Sequence, residues 1–197
     1  YSRRPLTDGR IVQLGAAGVP SLEAGLEGSS LRLLLTHPVP PMGSGAAAQR
    51  DRQLEAVARR ARELGPRVVL AGDLNATPWS PVFSLVLDLG ALRDSRRGFG
   101  LQPTWSAGLP DLARIPIDHF LVGRDVRVLH REVGPRIGSD HLPVLVELRR
   151  RGPQPFTPRA EGRWGRCDRG ARRANRAAPF GPNLRQGGVE EATDQGG

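Results

Sequence analysis

The chain has 197 residues, which is enough for one domain with a substantial hydrophobic core. All 29 basic residues are Arg, and together with 20 acidic residues they give a net charge of +9. This charge favours nucleic acids and other anionic partners. The abundance of Ala, Gly, Pro and Arg is also typical of a GC-rich coding bias, so the high Arg content has two open explanations. The single cysteine, Cys167, excludes an internal disulfide, and no apolar run approaches the roughly 20 residues that a membrane-spanning helix needs.

The first 150 residues alternate between strand-like and helix-like patterns. In chain order, the patterns predict strands at 10–14 and 31–36, a helix at 46–65, a strand at 67–72, a helix at 80–90, and strands at 116–122, 126–133 and 142–149. Gly65 and Pro66 end the first helix, whereas Ser80 and Pro81 begin the second. These elements predict a layered, mixed α/β domain over residues 1–150.

Residues 151–197 differ in composition from the rest of the chain. They are rich in Arg, Gly and Pro, carry a net charge of +4 and show no apolar periodicity. Such a segment cannot bury enough apolar surface to offset its ordering entropy, so we predict a disordered tail. Two interpretations of this tail stay open, a solvated terminal extension and a segment that contacts nucleic acid.

Polar side chains stand at or near the ends of predicted strands in the segments "THPVPP", "GDLNATP", "PIDHFLV" and "GSDHLPV". These segments contribute His37, Asp73, Asn75, Asp118, Asp140 and His141. Since strand side chains alternate faces, Asp73 and Asn75 are expected to point one way and Leu74 the other. The pair either lines an active site or forms an Asx turn, and both alternatives stay open. His119 should face the opposite side of its strand from Asp118 and pack there.

Asp73, Asp118 and Asp140 would repel one another if the fold brought them together. Unit charges about 4 Å apart cost roughly 4 kcal/mol at an effective dielectric constant of 20. A divalent cation such as Mg²⁺ or Mn²⁺, or a protonated His, would offset this repulsion. Carboxylates, His and Asn around such a cation suit phosphoryl chemistry. A serine triad is excluded because Ser139, Asp140 and His141 are adjacent and project apart, and the chain lacks nucleophile-elbow, Walker and Rossmann motifs.

In their order and spacing, the four segments resemble the endonuclease/exonuclease/phosphatase superfamily over roughly residues 1–149. The resemblance implies an α/β fold in which two mixed β-sheets pack as a sandwich flanked by helices, in four layers. It also implies a phosphoesterase that depends on Mg²⁺ or Mn²⁺, with phosphodiesters favoured over monoesters. Nucleic acid, phospholipid and inositol phosphate remain open as substrates, we expect a monomer, and the "THPVPP" form is often bacterial. Trp105 either stacks on a base or packs over the sheet edge.

The same resemblance assigns roles to individual residues. His141 would pair with Asp118 and act at the attacking water or at the phosphate. Asp73 would orient or deprotonate that water, and Asn75 would hydrogen-bond the transition-state phosphate. His37 would contact the phosphate or assist the leaving group. The candidate metal ligands are Asp140 and Asp73.

Two elements that the resemblance implies have no counterpart in the chain, namely a first strand that bears an Asn and a strand that bears a metal-binding Glu. "YSRRPL" resembles the segment that follows this Glu, so we expect both elements upstream of Tyr1 and one sheet with an exposed edge. Glu23 and Glu27 lie in a loop-like stretch and do not replace that Glu. Two alternatives to an active enzyme therefore stay open, a catalytically incomplete fragment and a basic nucleic-acid-binding protein that acts through its tail. The sequence as given is expected to be soluble, and localisation stays open, since the full-length protein could be tethered to a membrane or exported.

Overall fold

The structure, a computed structural model, describes residues 2–15 and 18–152. Nearly all of the predicted tail, 151–197, lies outside the described residues, so its disorder and the domain boundary at residue 150 stay predictions. The elements are β1 Leu6–Gln13, β2 Pro20–Leu26, β3 Arg32–Leu35, α1 Ser44–Leu64, β4 Val68–Asp73, α2 Pro81–Gly90, β5 Arg93–Asp94, a short 3-10 helix Asp111–Ala113, β6 Asp118–Val122, β7 Val126–Val133 and β8 Val144–Arg150. Among these residues, no helix combines the length and the apolar character needed to span a bilayer.

The strands form one sheet of six strands, in the order β1-β2-β3-β4-β6-β5, and a second sheet in which β7 pairs with β8. Strands β3 and β4 run parallel, because α1 carries the chain back across the sheet between them, and all other pairs are antiparallel. The predicted α/β fold with two sheets is confirmed. The second sheet contains antiparallel strands only, whereas the first is mixed.

The two helices cover one face of the six-stranded sheet with their apolar stripes. Helix α1 buries residues at helical spacing along one face, and α2 buries a shorter stripe beside it. The resulting core contains Leu34, Leu54, Val57, Ala58, Ala61, Leu70, Leu74, Val82, Phe83, Val86 and Leu121. Burial of each large apolar side chain contributes roughly 1.5–3 kcal/mol, so this cluster is the main source of stability for the helix-covered side of the sheet.

The stretch that was expected to be a loop around Glu23 is strand β2, and Glu23 is completely buried within it. The expectation was wrong because the Glu23 carboxylate is neutralised from two directions. Arg10 of β1 lies 2.7 Å from one carboxylate oxygen, and Arg60 of α1 contacts both oxygens. The hydrogen bond from Arg60, aided by Arg10 and opposed by burial, lowers the pKa of Glu23 to about 2. The ion cluster thereby fastens α1 to the β1–β2 hairpin.

Candidate active site

The pairing of β4 with β6 places two of the predicted acids next to each other. Asp73 at the end of β4 is directly opposite Asp118 at the start of β6. The neighbouring strand β3 ends at Leu35, and His37 follows it on the same side as Asp73. The sheet topology therefore brings residues that are far apart in the chain to a common edge.

Gly72 allows the end of β3 to approach β4 closely. Its φ angle of +145° is one that residues with a side chain rarely adopt, and a Cβ atom there would lie 1.9 Å from the carbonyl oxygen of Thr36. The Thr36 N–H donates to Ala71 on the same stretch of β4. Because Thr36 immediately precedes His37, this close approach positions the His37 imidazole beside Asp73.

His141 joins His37, Asp73 and Asp118 at this sheet edge, and we refer to these four residues as the catalytic cluster. Within it, His141 pairs most closely with Asp118. Its Nδ1 lies 2.8 Å from Oδ2 of Asp118, and its Nε2 lies 3.8 Å from Oδ2 of Asp73. The backbone N–H of His141 donates to the hydroxyl of Ser139, which fixes the turn before β8. Burial alone would lower the pKa of His141, but the hydrogen bond to Asp118 and the charges of Asp118, Asp73 and Asp140 raise it above its ordinary value.

Asp73 lies between two imidazoles. Its Oδ2 is 3.4 Å from Nε2 of His37, in addition to the contact with His141, and its Oδ1 accepts a 2.8 Å hydrogen bond from the N–H of Asn75. The side chain is only 12% exposed, whereas that of His37 is 68% exposed. Burial raises the pKa of Asp73, with a further increase from Asp118 and opposition from the Asn75 N–H and the two histidines. Asp73 can therefore accept a proton more readily than an exposed Asp.

Asn75 forms the Asx turn that was one of the two interpretations of this pair, and the other, that the pair lines an active site, stays a prediction. It adopts a left-handed backbone conformation with φ of 49°, and Asp73 accepts its N–H, so the segment does form an Asx turn. The same turn carries Asp73 into the cluster. The Asn75 side chain donates to the carbonyl oxygen of Pro38 at 2.9 Å, and Arg50 of α1 donates to the Asn75 carbonyl oxygen at 2.7 Å. In this structure the carboxamide thus links the turn to the segment after β3.

His119 supports the same turn from the helix-covered side of the sheet. It is buried, as predicted for a residue that packs, and its ring lies 4.6 Å from that of Phe83. Its Nε2 lies 2.8 Å from the carbonyl oxygen of Ala76, so Nε2 must carry the proton and donate. Burial lowers the pKa of His119 to about 4, which keeps the ring neutral at pH 7. The alternation in "IDHF" indicated its orientation but not this hydrogen bond.

Arg131 contacts the backbone of Asp118 and was not predicted. It is 2% exposed, and its guanidinium donates to Gln102 Oε1 at 2.7 Å, to the Ser95 hydroxyl at 3.1 Å and to the Asp118 carbonyl oxygen at 3.3 Å. Burial is the main reason that the pKa of Arg131 falls to about 10. Strict alternation from the buried Val126 places Arg131 on the exposed face of β7, and the register shift between Val128 and His130 turns it inward, so no sequence pattern indicated this contact.

The cluster opens into a groove of about 750 Å³. His37, Asp118 and His141 contribute to its lining. Most of the remaining lining is apolar and includes Ile11, Leu22, Leu35, Phe120, Ile137, Leu142 and Val144. The polar groups that can exchange protons therefore stand at one part of a largely apolar surface.

The predicted metal ligands Asp73 and Asp140 each have other contacts in the structure, and their role as ligands stays a prediction. Among residues 2–15 and 18–152, no group of three or more His, Cys, Asp or Glu side chains is placed to hold an ion. The Asp73 oxygens face an N–H group and two imidazoles, and Oδ2 of Asp140 accepts from the indole of Trp105 at 3.4 Å. A divalent cation would therefore need further ligands from water, substrate or other polypeptide.

Trp105 lies beside His141, and its ring centroid is 6.4 Å from that of the imidazole. Its backbone bridges to both Ile115 and His141. Trp105 as a residue is 38% exposed, so it packs across the strand ends and also presents part of its surface to solvent. Both interpretations of Trp105 are compatible with this position.

The site combines strand ends, paired Asp and His side chains and an open groove. The sequence that forms it matches a known protein family. The endonuclease/exonuclease/phosphatase family matches over residues 1–141. The chain therefore belongs to the endonuclease/exonuclease/phosphatase family. No curated protein sequence matches the chain significantly.

Solved structures share the fold. A family member from Beutenbergia cavernae DSM 12333 is 25% identical, with a TM-score of 0.62 over 77% of this chain and 47% of its own. The mannosyl-6-phosphatase Bt3783 of Bacteroides thetaiotaomicron VPI-5482 is 21% identical, with a TM-score of 0.52 over 72% and 67%. TDP2 of D. rerio, complexed with a single-strand DNA product, is 18% identical, with a TM-score of 0.56 over 74% and 69%. The chain spans about half the length of several matched structures. It covers 47% of the Beutenbergia cavernae protein, 56% of a protein from Enterococcus faecalis V583 and 55% of one from Bacteroides vulgatus.

Proposed function

We propose that the chain is a phosphoester hydrolase that cleaves phosphodiester bonds at the cluster of His37, Asp73, Asp118 and His141. The observation that carries this proposal is the Asp118–His141 pair, whose free imidazole nitrogen faces Asp73 at 3.8 Å beside an open groove. Membership in the family supports the reaction class, since structures of similar fold include a mannosyl-6-phosphatase and TDP2 with a DNA product.

The residues divide the proton transfers of hydrolysis between them. Asp118 accepts from Nδ1 of His141, which fixes the ring orientation and favours its protonated form. Protonated His141 stabilises negative charge on the phosphate as water attacks phosphorus. Asp73, whose pKa is raised, orients that water and accepts its proton.

His37 serves the leaving group in this proposal. Its imidazole contacts Asp73 but is largely exposed, so it can reach a substrate oxygen in the groove. As the bond between phosphorus and the ester oxygen breaks, His37 donates a hydrogen bond or a proton to that oxygen. Asn75 would turn its carboxamide from Pro38 to the phosphate, or would act by holding the Asp73 turn.

A divalent cation, Mg²⁺ or Mn²⁺, is part of the proposal because closely placed carboxylates and a phosphate create excess negative charge. Among the described residues, no third His, Cys, Asp or Glu joins these carboxylates in a group that could hold an ion, so the cation would also need oxygen ligands from water or the phosphate. Asp73 and Asp140 remain the proposed protein ligands, and the chain is proposed to act as a monomer. The substrate class within phosphoesters stays open between nucleic acid, phospholipid and inositol phosphate.

A matched pair of histidine variants tests the role of His141. His141→Gln and His130→Gln each remove one partly exposed imidazole, but His130 lies on β7 and pairs with Glu132 away from the cluster. With bis(p-nitrophenyl) phosphate as substrate, His141→Gln should lower kcat by about 10²–10³-fold, the range for loss of one group that stabilises transition-state charge. His130→Gln should retain the activity of the unaltered chain. Equal activities of the two variants would contradict the proposed mechanism.

A further inference from the structure

A second feature lies at the ends of the strands remote from Asp73. Strand β4 begins at Val68 there, β6 ends at Val122, β7 begins at Val126 and β8 ends at Arg150. Six arginines occupy this region, and we refer to them as the basic cluster: Arg93, Arg97, Arg124, Arg127, Arg149 and Arg151. From Val68 to Asp73, β4 spans about 17 Å at roughly 3.3 Å per residue, so the basic cluster is separate from the catalytic cluster.

The structure brings these arginines close to one another. Arg93, Arg97 and Arg127 line the same cavity of about 160 Å³. Arg127 of β7 is directly opposite Arg149 of β8 in the antiparallel pair. Burial lowers the pKa of Arg93, and the positive charges of Arg151 and Arg97 lower it further. Like charges directly opposite each other in a sheet destabilise it, so this arrangement carries an electrostatic cost.

The acidic residues nearby do not neutralise the cluster. Both carboxylate oxygens of Asp94 bind Arg96, and Asp125 makes only a 3.9 Å contact with Arg124. Within the described ranges, the side chains of four exposed arginines form no hydrogen bond or ion pair: Arg97, Arg127, Arg149 and Arg151. They therefore remain available to an external anion.

Within the basic cluster, the side chain of Arg93 is held in place by the backbone. Its Nη2 donates to the carbonyl oxygens of Gly123, Arg124 and Val126, at 2.6 Å in the last case. These bonds hold one guanidinium against the turn between β6 and β7, and Arg97 and Arg127 line the same small cavity beside it. An anion that binds here would relieve the repulsion between Arg127 and Arg149 without any rearrangement of the strands.

We propose that the basic cluster binds the phosphate backbone of a nucleic acid, without sequence preference and independently of the catalytic cluster and the tail. Several unpaired guanidiniums on one surface suit a ligand that presents several phosphates along one strand. An anionic membrane is a weaker fit, because surface-bound proteins commonly add apolar side chains that enter the lipid. The exposed large apolar side chains include none in 93–97, 122–128 or 148–151.

Two double variants with the same loss of charge test this proposal in the full chain. Arg127→Gln/Arg149→Gln removes the opposed pair, and Arg3→Gln/Arg52→Gln removes two exposed arginines elsewhere. Fluorescence anisotropy with a labelled oligothymidine of about 20 nucleotides, between about 50 and 200 mM salt, gives the dependence of log K on log salt. Loss of two phosphate contacts should reduce the slope by about 1.4 for a single strand, whereas the control should change it little.

Equal slopes for the two double variants would overturn the proposal, because binding would then follow net charge or the tail alone. Urea unfolding checks that both variants fold, and removal of the repulsion should leave the Arg127/Arg149 variant at least as stable as the unaltered chain. Co-sedimentation with vesicles of phosphatidylcholine and phosphatidylserine provides the second arm. Weaker vesicle binding by the Arg127/Arg149 variant, with unchanged oligonucleotide binding, would also overturn the proposal.

Discussion

Replacement of His119 by Gln should make the stability of the domain less sensitive to acid. In the folded protein the ring is neutral, packs against Phe83 in a tilted arrangement and donates from Nε2 to the carbonyl oxygen of Ala76. Burial holds its pKa at about 4, against about 6.5 for an unperturbed His. Gln retains an N–H donor near the position of Nε2 but cannot take up a proton in this pH range.

The pKa difference gives the size of the effect. Because the folded pKa is below the unfolded one, the stability contributed by neutral His119 is fully present above pH 6.5 and is lost as pH falls towards 4. Between about pH 7 and pH 4.5, this single group should reduce the free energy of unfolding by about 2–3 kcal/mol. His119→Gln should remove most of this loss, although its stability at neutral pH should also be lower by about 1–3 kcal/mol, since the new side chain fills the site less well.

Urea unfolding followed by circular dichroism at the two pH values measures the effect directly. The comparison is between the unaltered chain, His119→Gln and the exposed control His130→Gln, which should keep the full acid sensitivity. A His119 variant whose unfolding free energy falls with pH as steeply as that of the control would refute the reasoning. It would mean that His119 is accessible to protons in the folded protein.

Three other variants test separate parts of the structure. Gly72→Ala should destabilise the domain by about 3 kcal/mol or more, since its Cβ would collide with the Thr36 carbonyl, and urea unfolding at neutral pH would measure this. Asp118→Asn should lower the pKa of the His141 imidazole by removing the hydrogen-bonded charge, which an NMR titration would detect as a lower midpoint. The unaltered chain should lose stability as pH falls from 4.5 to 2, because the folded pKa of Glu23 is depressed, and Glu23→Gln should flatten this interval in acid titrations of stability.

Much of the fold could be predicted from local patterns. The apolar stripe of α1 and the runs around β4 and β6 are strong signals because each is set by neighbouring residues in the chain. Alternation along the strand also indicated that Asp73 and Leu74 face opposite sides, and Leu74 is indeed buried. The order of the polar segments was sufficient for the family assignment.

Long-range pairing explains what the sequence did not indicate. Glu23 looked unsuited to a buried strand, since its partner Arg60 lies 37 residues away on α1. The hydrogen bond from His119 to Ala76 and the contact from Arg131 to Asp118 likewise join separate elements. Local pattern specifies which face a residue occupies, but only the packed structure shows which groups meet.

The metal site and the basic cluster illustrate the same limit. The family resemblance implied that Asp73 and Asp140 bind a cation, the structure shows that Asp140 contacts Trp105, and the ligand roles stay predictions. Net charge suggested anion binding, but only strand pairing shows that Arg127 and Arg149 are opposed. The catalytic roles of the clustered residues stay predictions until activity is measured.

The central claim is that the cluster around Asp73 hydrolyses phosphoesters. The most direct test compares the unaltered chain with Asp73→Asn, using bis(p-nitrophenyl) phosphate in the presence of Mg²⁺, Mn²⁺ or EDTA. Asn can keep the hydrogen bond to the Asn75 N–H, so the turn should persist while the proton acceptor is lost. Hydrolysis that requires the cation and falls by about 10²-fold or more in the variant is the predicted result. Hydrolysis that is equal in the two proteins, or unaffected by EDTA, would contradict the account.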